Sequence, residues 1–258
     1  MSMPHVDHSP RISHLRIALA LAGLGAIAAI LLLPYVFALM PKLRSQIHVE
    51  VALFAVIQGA QAGVLTLLLG WIGLRLGYRL GLDAPWLREF LYCGTTKSAA
   101  EARWLFAGGL GAGVGLLCLL LLAMAPLGDL ASEVAHANWW QGLLASLYGG
   151  VVEETICRLF LVSLFVWIAA RLTRSARPTA VWYWVAIAAA ALIFGTAHLP
   201  ALAQVAAIDA ANIARVIALN ALCGIAFGWL FWRYGLEHAM AAHFSADIVL
   251  HVAGPLLA

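Results

Sequence analysis

Two adjacent carboxylates and a guanidinium, Glu153, Glu154 and Arg158, lie in GGVVEETICRLFLVSLF (149–165), a stretch that is otherwise mainly apolar. His198 ends the run FGTAH (194–198), just before Pro200. HFSAD (243–247) supplies His243 and Asp247, with His251 four residues further on. Ionisable side chains at membrane depth cost about 2.5–3.5 kcal/mol each on insertion scales, which makes them candidates for function. Glu154 and Arg158 are spaced i,i+4 with the acid N-terminal, the favourable order for a pair. Glu153 is turned about 100° from Glu154 on a helix, so one acid can neutralise the arginine while the other faces a different neighbour. His243, Asp247 and His251 form one stripe at four-residue spacing. A carboxylic acid, two or three imidazoles and a further Asp can activate a water, with or without a metal. Taken singly, each group has a plainer reading: a satisfied ion pair, an interfacial histidine, a hydrogen bond to a neighbouring helix. His5, His8, His14, His48, His136 and His238 take that plainer reading outright.

The elements that must hold these groups are apolar. The chain has 258 residues, 64% hydrophobic and 10% charged, against about 45–50% and 25% in soluble domains. This predicts an all-α fold, a polytopic transmembrane helical bundle with about seven to eight spans around an intramembrane polar cavity. A span needs about 20 mostly apolar residues. Seven stretches qualify: 17–39, 50–74, 104–125, 141–169, 180–199, 213–233 and 238–257. Helices are required because lipid satisfies no free backbone groups. The first stretch exceeds the apolar core of a signal peptide, so it reads as a retained span. The net charge of +3 gives no sign of a nucleic-acid partner.

Lys and Arg flank the spans unevenly. Arg11 and Arg16, then Arg75, Arg79, Arg88, Lys97 and Arg103, then Arg171, Arg174, Arg177 and Arg233 fall on one side. By the positive-inside bias that side, with the N-terminus, is cytoplasmic; Lys42 and Arg44 run against the trend. Trp139 with Trp140, Trp182 with Trp184 and Trp229 with Trp232 sit at span ends, as interfacial belts do. DAPWLREFLY (83–92) reads as a short interfacial helix with Asp83 as N-cap and Pro85 in its first turn. Cys93, Cys118, Cys157 and Cys223 form no C-x-x-C pair and read as buried thiols.

Glu153-Glu154-x-x-x-Arg158, Phe194-x-x-x-His198 and His243-x-x-x-Asp247 resemble, in order and spacing, the E-E-x-x-x-R, F-x-x-x-H and H-x-x-x-(N/D) signatures of the CPBP intramembrane proteases. That family includes type II CAAX prenyl endopeptidases and bacterial relatives linked to bacteriocin processing and immunity. The resemblance covers 150–250 and divides the chain into N-terminal helices with an interfacial segment (1–140) and a catalytic core (141–258). It implies an intramembrane endopeptidase acting on a membrane-bound, lipidated or C-terminally tagged protein or peptide. Glu153 and His198 would activate water, Glu154 and Arg158 would support them, and His243 with residue 247 would stabilise the oxyanion. The prenyl-protease branch has Asn at the last position; the carboxylate of Asp247 would help there if protonated, if it binds a metal, or if it orients His243. Glu153, His198 and His243 would be the ligands of a zinc ion, if one is used. The resemblance and the loop charges together suggest an integral protein of the bacterial inner membrane, in contact with lipid. Two other readings compete: a non-catalytic, immunity-like or scaffold protein on the same fold, and a proton-coupled transporter.

Full-length spans would put His198 and His243 at opposite ends of the roughly 30 Å core. Pro200 blocks an ordinary helix, which predicts a polar pocket within the bundle with the fifth or the seventh span stopping inside the membrane, ALAQVAAIDAANIAR (201–215) lining a water-filled cavity if it is the fifth.

Overall fold

The computed structural model describes residues 14–93, 103–124, 137–205 and 208–257, and among them every regular element is helical. The apolar runs become α1 (His14–Leu39), α3 (Val51–Gly77, with a tighter turn at Tyr78–Leu80), α5 (Trp104–Met124), α6 (Trp139–Leu172), α7 (Ala180–Ala197) and α9 (Ala210–Tyr234). Short helices α2 (Pro41–Gln46), α4 (Pro85–Cys93) and α8 (Leu199–Val205) join them, and α10 covers 236–257. The six long segments, α7 being continued through α8, are long and apolar enough to cross a membrane. The seventh expected span, α10, is helical along its length but falls outside that set; it carries Glu237, His238, His243, Asp247 and His251. The expectations for residues 1–13, Lys97, Ala125, His136 and the side chain of Cys93 lie outside what is described.

Buried apolar side chains knit the bundle together, among them Leu21, Leu74, Leu159, Val166, Ile187, Phe227 and Phe231. Leu19, Ile27, Val64, Leu68 and Leu120 point outward. That distribution suits a solvent of lipid, where packing rather than apolar burial holds helices together. Small residues set the crossings. Gly25 faces Thr66 between α1 and α3, Gly73 packs on the Leu159 carbonyl between α3 and α6, and Gly111 packs on the Ala242 carbonyl between α5 and α10. Elements before residue 140 thus pack directly on those after it.

One end of the bundle is basic. Tyr183 donates to the Leu80 carbonyl at 2.8 Å, Leu236 N donates to Asp83 O at 3.0 Å, and His14 lies 3.2 Å from Arg88. These contacts align the start of α1, the end of α3, and α4 with the starts of α7 and α10. Lys42 and Arg44, both on α2, lie at the opposite end. Gly235 turns the chain between α9 and α10 with φ +102°, and its bare Cα lies against the Pro85 ring; glycine adopts this backbone without a Cβ clash.

Two local expectations change. Asp83 is not the N-cap of α4: its carboxylate holds Arg88 through two 2.6 Å hydrogen bonds, while Glu237 of α10 accepts from Leu87 N at 2.8 Å. The cap comes from another helix because Asp83 lies one residue too early to reach the first-turn amides. α7 does end at Ala197, but Pro200 then sits in the first turn of α8, where its missing N–H costs nothing. The stretch expected to be irregular is therefore largely helical, with Asp209 capping α9 by accepting from Asn212 N at 2.8 Å. Cys118 and Cys223 are buried thiols with sulfurs 3.6 Å apart, and Cys157 is a buried free thiol.

Candidate active site

The first motif lies on an altered helix. α6 begins as α-helix (Trp139–Tyr148), widens into π-helical turns at Gly149–Glu153 and Thr155–Val162, and returns to α-helix at Ser163. π turns occur mostly as short insertions in α-helices, often at functional sites. Here they bracket Glu154. The pair Gly149-Gly150 opens the distortion, and Gly149 has a specific need to lack a side chain. A Cβ there would sit 2.5 Å from Asp247 Oδ2 and 2.8 Å from His243 Nε2.

The two acids divide their work as the spacing suggests. Glu154 is wholly buried, and its Oε1 lies 3.0 Å from Arg158 Nη1 and accepts from His243 Nδ1 at 2.7 Å. Glu153 keeps 27% of its side chain exposed, with Oε2 3.7 Å from His243 Nε2. On that same side of His243, Asp247 Oδ2 lies 3.6 Å from Nε2. Separations of this size exceed a direct hydrogen bond. The Arg158 guanidinium is also held over the rings of Phe194 and Phe227, at 4.9 and 5.4 Å. Phe227 stacks on His243 at 4.9 Å, and Phe194 meets it edge-on at 5.8 Å. Buried charges demand such company, because an unpaired ion in the interior is strongly disfavoured.

His198 stands one ring away from this group. It caps the end of α7, its Nδ1 donates to the Phe194 carbonyl at 2.8 Å, and its ring packs on Phe194 at 4.7 Å. Helical side chains lean toward the N-terminus, so a histidine at the end of α7 turns back toward the bundle. That lean, with the early end of α7, reduces the separation expected from full spans. Glu153, Glu154 and Asp247 gather around His243, with Arg158 on Glu154; His198 joins them through Phe194, whose ring meets both His243 and Arg158.

Four contributors escaped the sequence reading. Tyr35, on α1, has its hydroxyl 2.9 Å from His251 Nδ1, and His251 Nε2 lies 3.9 Å from Asp247 Oδ1. Phe227 and Gly149 shape the pocket of His243, and Glu237 anchors the start of its helix. The double glycine was the one available signal; tyrosine and phenylalanine in apolar spans carry none.

Among the described residues no three His, Cys, Asp or Glu side chains are arranged to hold a metal ion. Glu153 Oε2 and His243 Nε2 approach to 3.7 Å; His243 gives Nδ1 to Glu154 and His198 gives Nδ1 to its own helix, which leaves Nε2 as the nitrogen each could turn to a ligand. Cavities of about 1080 Å³ at the basic end and about 520 Å³ beside the last turns of α1 are lined by none of the motif residues. The motif group itself is packed and opens through Glu153 and His251.

Residues 135–249 match the family model for Rce1-like proteins, described as type II CAAX prenyl endopeptidase Rce1-like. No curated protein and no solved structure matches the chain. The matched stretch contains all three motifs and ends just before His251.

Proposed function

We propose, from the match of residues 135–249 to the Rce1-like family of CAAX-type prenyl endopeptidases, that this chain hydrolyses a peptide bond near the membrane-bound end of a protein or peptide, using a water activated at Glu153. The observation that carries the reading is the split between the two acids. Glu154 is tied to Arg158 and His243, while Glu153 remains partly exposed and turned toward His243 Nε2.

In this reading Glu153 accepts a proton from water as the oxygen attacks the scissile carbonyl. His198, with Nδ1–H committed to the Phe194 carbonyl and its ring packed on Phe194, positions the ring that meets both His243 and Arg158. The carbonyl oxygen becomes an oxyanion. His243 meets it with Nε2–H in the doubly protonated form, whose Nδ1–H is held by Glu154. The C–N bond then breaks, and Glu153 returns its proton to the leaving amine. Arg158 pairs with Glu154, and Asp247 orients His243 from the Nε2 side. No step uses a metal. The basic end faces the cytoplasm of a bacterial inner membrane, supported by the bias of Lys and Arg.

The test uses full-length protein in liposomes and a membrane-anchored peptide with a prenylated CAAX-type C-terminus, with products read by mass spectrometry. Wild type cleaves it, and Glu153→Gln lowers the rate by about 10²–10⁴-fold, the usual weight of a general base. Equal rates would overturn the reading. The non-catalytic alternative draws on one observation, the carboxylate of Asp247 where prenyl endopeptidases have Asn, and it predicts no product from either protein.

A further inference from the structure

The cavity of about 1080 Å³ at the basic end forms where α1 begins and where α3 and α6 finish. Arg75, Arg79, Arg171 and Arg174 line it, with Trp71 and Trp167. Arg75 lies 4.7 Å from the Trp71 ring centre and Arg171 lies 5.1 Å from that of Trp167. Each guanidinium is thus set over an aromatic face at belt depth. None of the four is ion-paired with a described residue. Cations do favour helix C-termini such as those of α3 and α6, but four unneutralised guanidiniums on one concave wall concentrate positive potential well beyond that need. Arg174 adds a local argument. It follows the last turn of α6 with φ +51°, in the left-handed position that glycine usually fills after a helix. The chain keeps an arginine where a smaller residue would fit more easily.

The geometry points to a binding site for the phosphate head group of an anionic phospholipid from the leaflet at this end. Guanidinium forks match phosphate oxygens bidentately. Basic pockets between membrane helices on the cytoplasmic side suit such head groups, and Leu15 and Leu76 on the same wall offer an apolar edge for the acyl chains. The site is separate from the acidic group. Arg171 is eighteen residues beyond Glu153 on α6, more than about 20 Å along the helix even with its wider turns, and the inference does not depend on the protease reading.

The experiment is native mass spectrometry of the full chain released from micelles containing phosphatidylglycerol or phosphatidylcholine. Wild type retains phosphatidylglycerol at least tenfold better. The Arg75→Gln/Arg79→Gln/Arg171→Gln variant retains both lipids equally, and inorganic phosphate at matched concentration does not displace the lipid. Arg174→Gly removes one charge while relieving the left-handed backbone, so it keeps or raises the melting temperature and lowers retention several-fold. Equal retention of the two lipids by wild type overturns the proposal. So does unchanged retention in the triple variant or, if that variant fails to fold, in Arg174→Gly. Displacement by inorganic phosphate also overturns it and makes this a free-phosphate site.

Discussion

His243 Nδ1 and Glu154 Oε1 lie 2.7 Å apart across 89 residues of sequence. The same oxygen is 3.0 Å from Arg158, so one buried atom joins the first motif to the third. The contact fixes which ring nitrogen of His243 is engaged and leaves Nε2 to face Glu153 and Asp247. It also makes the acid and the arginine depend on each other, since neither has water to fall back on.

Arg158→Leu leaves Glu154 buried with its main counter-charge removed and destabilises the fold by about 3–5 kcal/mol. Adding Glu154→Gln removes the stranded charge and recovers most of that loss without restoring cleavage. Thermal melts of the single and double variants in detergent measure it. A double variant no more stable than Arg158→Leu would contradict the pairing.

Gly149→Ala pushes a methyl group against His243 and Asp247. Overpacking of this kind costs about 1–3 kcal/mol, so the protein still folds, but peptide cleavage falls far more than stability does. Gly150→Ala, whose Cβ would find its nearest neighbour at 3.3 Å, is milder. Comparing the two rates at matched folded fraction tests this, and equal effects would oppose it.

Much of the site was legible because polar side chains stand out against apolar runs, and helical spacing alone predicted that Glu154 would take Arg158 while Glu153 faced elsewhere. The distances between motifs were not legible. They depend on π-helical turns in α6, on α7 ending at His198, and on ring contacts from Phe194 and Phe227, which read in sequence as ordinary apolar residues. Tyr35 reaches His251 from a helix more than two hundred residues away, a relation no local pattern encodes. The capping of α4 by Glu237 was hidden for the same reason.

Asp247→Asn offers an N–H donor in place of a carboxylate and keeps or raises the cleavage rate. Asp247→Ala offers neither, leaves His243 unsupported on its Nε2 side and lowers the rate by about 10²–10³-fold, the usual effect of losing one oxyanion donor, here His243. Steady-state rates on one reporter peptide separate the outcomes. Collapse of the Asn variant would mean that the negative charge itself is used.

Among the described residues no three His, Cys, Asp or Glu side chains are grouped to hold a metal ion, so dialysis against a chelator is expected to leave the cleavage rate unchanged, with no stoichiometric zinc by elemental analysis before or after. Loss of activity restored by zinc alone would reverse that expectation.

Gly111 and Gly115 of α5 press against the backbone of Ala242 and Ala246, the residues immediately before His243 and Asp247. α5 has no charged side chain and lies outside the stretch that matches the family model, yet it is the anvil on which the helix carrying His243 and Asp247 is set. A methyl group added to either glycine would shift the alignment of α10 without touching a reactive atom. Drift in this unmarked helix is therefore a route by which relatives sharing all three motifs could diverge in what they cut.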